Sequence, residues 1–191
     1  LSRYEKIPAG GTPLAEIKAA GAGRAVIEFG RTLAGFSSGG ELLAKRFGQT
    51  RHSLGLPIGI RETDAFFAVL ERLSGQAAPA ALAAERGRLI DSLVDGHKYL
   101  FGKRAVVYGE EDLVVGLTSF LAEIGVIPVL CASGGRSGHL ASAVSEVCRD
   151  LLPEMPVVRD GTDFFEIGEE AEGLAPDLII GHSKGYPLAR K

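Results

Sequence analysis

Asp91 and Asp95 are the residues in this chain whose type and spacing most directly suggest chemistry. They stand four apart in a stretch that reads as one long helix, so their carboxylates share a face. Like charges at that spacing repel by about a few tenths of a kcal/mol, a cost that a bound cation or a basic partner would relieve. An oxygen-only pair suits a hard divalent cation such as Ca²⁺ or Mg²⁺, and Fe²⁺ less typically. His97 follows two residues later and faces elsewhere. From spacing alone a solvated acidic face is the favoured reading, with Arg88, three residues before Asp91, as a ready ion-pair partner.

Two glycine-rich turns could receive an anion. Residues 134–138 read Gly-Gly-Arg-Ser-Gly between a strand pattern and a helix pattern, where backbone N–H groups and the helix dipole act together. Residues 181–185, Gly-His-Ser-Lys-Gly, follow another strand pattern. Neither has Gly-x-Gly-x-x-Gly spacing, and there is no Walker lysine. A plain βα loop is the stronger reading of each, but functional loops collect at the carboxyl edge of such a sheet, so both stay contact candidates for a nucleotide or sugar phosphate. His52, His97, His139 and His182 are scattered, with no pair at ligand spacing, and no nucleophile signature appears. Cys131 and Cys148 are the only cysteines. They are too few for a disulfide framework or a cluster-binding set, and sit in apolar runs. Free buried thiols in a reducing cytoplasm are expected.

The elements that position these residues centre on 102–131. Residues 105–108 read as a buried strand and 113–124 as a helix through Leu113, Gly116, Leu117, Phe120, Leu121 and Ile124. Asp112 is the best N-cap candidate, Gly125 a C′ glycine, and 127–131 a second buried strand. A helix at 139–152, a strand at 156–159, a helix at 162–172 and a strand at 177–180 follow. This βαβ alternation predicts an α/β fold: a doubly wound, Rossmann-like parallel sheet flanked by helices. Before it, helices are predicted from Thr12 as N-cap to Gly21, at 39–47, at 63–74 and at 80–99, with a strand at 25–29 and an extended segment at 54–59 before and after Pro57. Leu82, Leu89, Ile90, Leu93 and Val94 mark the expected buried side of the long helix. The division is 1–76 as part of a preceding α/β domain, 77–101 as a connecting helix, and 102–191 as the Rossmann-like domain, truncated at its carboxyl end.

Composition narrows the partners. The chain has 191 residues, 46% hydrophobic and 24% charged, with a net charge of −3. No strong field favours nucleic acid or an acidic membrane, and no apolar run approaches the roughly 20 residues of a membrane span. Residues 1–4 carry neither an initiator Met nor a signal-peptide pattern, and 184–191 read as the start of a helix. Both ends suggest an excised stretch of a longer chain.

Several segments together go further. Gly10-Gly11-Thr12-Pro13-Leu14-Ala15-Glu16 resembles a Gly-Gly-Thr-Thr-x-x-Glu segment of nitrogenase component-1 proteins. Leu56-Pro57-Ile58-Gly59-Ile60-x-x-Thr63-Asp64-x-Phe66 is similar to another. Glu85-Arg86-Gly87-Arg88-Leu89-x-Asp91-x-x-x-Asp95-x-His97 resembles their β-type pattern, which continues through 102–125 and closes with Pro176-Asp177-Leu178-Ile179-Ile180-Gly181-x-Ser183-x-Gly185. The resemblance is collinear over nearly the whole chain. It implies a β-type subunit of an iron–sulfur oxidoreductase of nitrogen fixation, this part framing the cluster region and subunit contacts. The alternative within the family is a cofactor-assembly scaffold subunit, which the Asp95-Gly96-His97-x-Tyr99 variant resembles. The alternative outside it is a Rossmann-like ligand-binding domain.

The resemblance also implies partners: an α-type chain and a second β-type chain in a heterotetramer, and an ATP-dependent iron protein as reductant. Cluster-ligating cysteines of the family lie upstream, so no cluster is expected on this stretch. It further implies that Asp91 and Asp95 help ligate a divalent cation at the contact between two β-type subunits. Gly96 stands where that pattern has Ser, a mild departure.

Overall fold

The computed structural model describes residues 10–33 and 35–190; the expectations placed on residues 1–4 and 191 lie outside them. Pro13 has extended ψ, 145°, so the first helix, α1 (Leu14–Ala19), starts after it, with Pro13 rather than Thr12 as N-cap. Strand β1 (Ala25–Phe29) and helix α2 (Gly39–Phe47) fall at the predicted bounds. Ser38 caps α2 by accepting from the N–H of Glu41 at 3.0 Å, and Gly48 ends it at φ 66°, a left-handed conformation that glycine tolerates without penalty. The next segment, Thr50–Leu54, is a second strand, β2, paired in parallel with β1 in a two-stranded sheet. Sequence reasoning placed the extended segment later, at 54–59. Arg51, His52 and Ser53 give β2 no apolar alternation to detect. Helix α3 (Gly59–Ser74) begins four residues before its predicted start, and α4 (Ala80–Leu100) follows after a short turn.

The second sheet holds β3 (Arg104–Gly109), β4 (Ile127–Ser133), β5 (Val157–Arg159) and β6 (Leu178–Ile180), in spatial order β5-β4-β3-β6 and parallel throughout. Counted from β3, this is the opening order of the doubly wound dinucleotide-binding fold, with its switch point between β3 and β6. Strand alternation divides the core into two layers. Ala105 and Val107 face α5 (Glu111–Glu123) and α6 (Leu140–Cys148), while Val106, Tyr108 and Leu130 face α7 (Phe164–Leu174). Pro128 lies inside β4, which is paired on both sides, and the register slips there, between Ala105 and Val106 of β3. A residue with no N–H is accommodated in a central strand at such an irregularity.

Three expectations about this half need correction. Asp112 is not the cap of α5. Glu110 is, accepting from the N–H of Leu113 at 3.1 Å. The α5 face is broader than the predicted stripe: Leu113 is exposed, while Val114, Val115, Thr118 and Ser119 are buried, because α3 and α6 pack against α5 in addition to the sheet. Residues 184–190 form two 3₁₀ turns, Ser183–Gly185 and Leu188–Arg190, rather than the start of an α-helix.

Helix α4 is largely exposed along its length. None of its 21 residues is buried, and Leu82, Leu89 and Val94, predicted to face a core, are 44%, 42% and 69% exposed. Only Leu93 and Leu100 touch the core of the second sheet.

Three carboxylates tie the fold to pH. Burial works against ionising Glu28, but hydrogen bonds from Ser38, Arg51 and the Gly40 N–H hold it below its ordinary 4.5. Arg86 lowers Asp64 below 3.8 through paired hydrogen bonds at 2.8 and 2.7 Å. The Arg104 N–H, then Lys103, do the same for Asp177, which joins the amino ends of β3 and β6. Folded values below unfolded ones mean the stabilisation is complete above the unfolded values and disappears as pH falls through the folded ones. The thermal midpoint should therefore hold steady down to about pH 5 and fall progressively below about pH 4.5, as read by circular dichroism across an acid series.

Candidate functional site

The carboxyl edge of the second sheet is where a fold of this order receives a ligand. Three loops meet there: Gly109 to the start of α5, residues 134–138, and residues 181–185. Each ligand position is taken by a side chain of the chain itself. At the first glycine turn, the buried Glu111 accepts from the Ser137 N–H at 3.0 Å. Gly135 lets it approach: a Cβ there would sit 2.9 Å from the Glu111 carboxylate. An arriving phosphate would meet a negative charge already in place. The turn is closed from the far side, where the Gly161 N–H donates to Gly135 O at 2.6 Å and the Thr162 N–H to Ser133 O at 3.1 Å.

At the switch point the occupant is Tyr108. It is the penultimate residue of β3, 4% exposed, and its hydroxyl donates to His182 O at 2.7 Å. Phe164 and His182 meet its ring edge-on, with centroids 5.5 and 5.4 Å away. A Cβ on Gly181 would clash with that ring and one on Gly185 with its hydroxyl, so both positions need glycine for close approach. Burial pushes the phenol above its usual range, so the hydroxyl stays a donor. The nucleotide or sugar-phosphate reading loses its space at both turns.

Asp91 and Asp95, one helical turn apart on α4, are both exposed. Arg88 does not neutralise Asp91; it pairs with Glu85, while Arg86 reaches across to Asp64 on α3. Among the described residues no group of three or more His, Cys, Asp or Glu side chains converges as a metal site would. His97 lies tilted against Phe101 with centroids 4.8 Å apart, His139 meets Phe36 edge-on, and His182 belongs to the Tyr108 cluster, so the structure leaves these histidines apart. Both cysteines are free and buried. Burial pushes Cys131 up to about 12 and Cys148 to about 11, and Thr118 hydrogen-bonds the Cys131 Sγ at 3.2 Å. Two inaccessible thiols do not fit an iron–sulfur cluster, which needs thiolates.

One constellation escaped sequence reasoning: the joint between the two sheets. Arg31, just past β1, reaches Glu62 of α3 at 2.9 Å and Glu146 of α6 at 2.6 Å. Its own N–H and that of Thr32 donate to Asp112 Oδ1 at 2.7 and 3.0 Å. Glu123 of α5 caps α3 from outside, accepting from the Ile60 N–H at 2.9 Å and the Arg61 N–H at 3.3 Å. These partners lie 31 to 115 residues apart in sequence, so no local spacing announces them.

The arrangement is that of an α/β framework domain, self-filled at its ligand edge and open along one helix. The sequence profile of the family described as "Nitrogenase component 1 type Oxidoreductase" matches residues 2–191. The chain belongs to that family. It is 28% identical over 188 residues to the nitrogenase molybdenum-iron protein beta chain of Clostridium pasteurianum, and 40% identical over 189 residues to that of Frankia alni. Each alignment takes in 98% of this chain but only 41% and 35% of the relative. A solved structure titled "Nitrogenase Cp1 at pH 6.5" superposes with a TM-score of 0.89 at 28% identity, covering 99% of this chain and 41% of that one. The α/β expectation and the family expectation are both borne out. The relatives just named are β chains, and nothing among them favours the assembly-scaffold alternative. No helix among the described residues is long and apolar enough to cross a membrane.

Proposed function

We propose that this chain is the framing part of a β-type subunit of a nitrogenase-type oxidoreductase, working in the cytoplasm. The observation that carries this reading is α4, a 21-residue helix with no buried residue that displays apolar and acidic side chains together. Such a face is stable in water only at a cost and is well suited to a subunit contact. In this reading residues 1–76 complete a preceding domain, 77–101 connect, and 102–191 form the Rossmann-like domain. The self-filled ligand edge supports a structural role. Iron–sulfur clusters of the whole protein would be held upstream, and electrons would arrive from an ATP-dependent iron protein. An α-type chain and a second β-type chain would complete a heterotetramer.

Asp91 and Asp95 would supply oxygen ligands to a divalent cation at the contact between β-type chains. Two carboxylates leave most of a hard cation's six to eight positions open, so the partner chain and water must supply the rest. The bound cation would also relieve the repulsion between the two carboxylates. Replacing both, Asp91→Asn with Asp95→Asn, in the full-length protein should weaken cation binding by more than about tenfold, since loss of outer-shell partners alone costs that much. Tetramer assembly should weaken with it. Cation content by elemental analysis and mass by light scattering are the readouts, and unchanged values of both would end this reading of the pair.

A further inference from the structure

We propose that α4 pairs with α4 of a second copy of this chain, antiparallel, about a two-fold axis passing between Asp91 and Ser92. This rests on the subunit-contact reading of α4 and goes further by naming the surface it meets. The helix leans on its own chain through Ile90, Leu93 and Leu100, which are half-buried. Half a turn round from them run Ala84, Arg88, Asp91, Ser92, Asp95 and Tyr99. Their spacing of three and four residues makes one continuous stripe, and every member is exposed.

The stripe is complementary to itself. Arg88 lies as far before the midpoint between Asp91 and Ser92 as Asp95 lies after it. A two-fold axis at that midpoint therefore sets each Arg88 opposite Asp95 of the other copy, and the ion pair occurs twice. The same operation sets each Tyr99 over Ala84 of the other copy, a large side chain against a small one. Ala84 and Ser92 keep the seam thin, so the axes can close to the short end of the usual 8–10 Å range. A parallel pair would instead face Arg88 with Arg88 and Asp95 with Asp95, so charge selects the antiparallel arrangement. Arg88 is available for it. Its present partner is Glu85 on the same helix, and side-chain exposures of 62% and 67% make that pair worth little.

The two Asp91 carboxylates meet on one side of the seam and the two Ser92 side chains on the other. The repulsion between the carboxylates is relieved by a cation, so the divalent-cation reading gains a named partner ligand, Asp91 of the other copy.

The test is disulfide trapping in the full-length protein, with diamide as oxidant. Ser92→Cys should join position 92 of one copy to position 92 of the other, because residues beside the axis bring their Cβ atoms within reach of a disulfide. Val94→Cys is also exposed but turned off the stripe, and should cross-link at least about tenfold more slowly. Arg88→Glu places like charges together at both ends of the seam. It should raise the dissociation constant of the assembly by about tenfold or more, read by light scattering on dilution. Chains that associate while Ser92→Cys cross-links no faster than Val94→Cys would overturn the proposal and leave α4 as a contact for another surface. An Arg88→Glu protein that associates as tightly as the parent would overturn it as well. Chains that do not associate at all would remove the subunit-contact reading, and this proposal with it.

Discussion

Arg31→Ala should lower the unfolding free energy by about 3 kcal/mol, because it leaves a carboxylate behind without its cation. Glu62 is 8% exposed and takes both of its side-chain hydrogen bonds from Arg31, at 2.9 and 3.1 Å. The guanidinium itself keeps some contact with water, which places the effect at the lower end of the range for broken buried pairs. Denaturant titration measures the loss, and a value under about 1 kcal/mol would contradict the role given to this pair. Hydrogen exchange should locate it, with β1 and β2 losing protection before β3 and β4. Two companions sharpen the result. Glu146→Ala, at the exposed end of the same arginine, should change stability by less than about 1 kcal/mol. Arg31→Met with Glu62→Leu should recover most of the loss, since an apolar pair carries no desolvation cost.

A comparable loss, about 4 kcal/mol, is expected for Leu130→Ala. Leu130 is 0% exposed in β4, on the face that packs against α7. β4 is paired on both sides, so its backbone has little freedom to close the cavity. The instructive comparison is Leu89→Ala on α4. It removes the same atoms from a residue 42% exposed, and should cost no more than about 0.5 kcal/mol in the isolated chain. A loss above about 2 kcal/mol at Leu89 would mean that α4 is covered by this chain itself, and would remove the main support for the subunit-contact reading.

The contrast between Leu130 and Leu89 also marks how far sequence carries. Apolar runs in β3 and β4 declare themselves because both faces of a parallel sheet are covered, so burial and local pattern agree. The bounds of β1 and α2 were legible from local pattern alone, and the structure shows the Ser38 cap and the Gly48 terminus that fix those of α2. Strand β2 was not, since a short polar strand in a two-stranded sheet buries too little to leave a pattern. Periodicity on α4 gave a correct helix and a wrong environment: it marks an apolar face but not whose atoms cover it. Asp112 shows the same limit for polar groups. Its position before a helix suggested a cap, and only the tertiary fold could commit its carboxylate to Arg31 and Thr32, 80 residues away. The candidate site divided along the same line. The two glycine turns were visible in the sequence; that Glu111 and Tyr108 fill them was not, because a close approach between loops carries no spacing rule.

The two buried thiols have a practical consequence. With Cys131 held up to about 12 and Cys148 to about 11, almost no thiolate exists at neutral pH. Both lie at 0% exposure, so an alkylating reagent reaches them only when the domain opens. Their modification rate is therefore a clock of opening that needs no added probe. At low reagent it counts the open population, and at high reagent it times each opening event. One sulfur lies in the central strand and the other at the end of α6, so mass-resolved labelling would tell whether sheet and helix part together or in sequence.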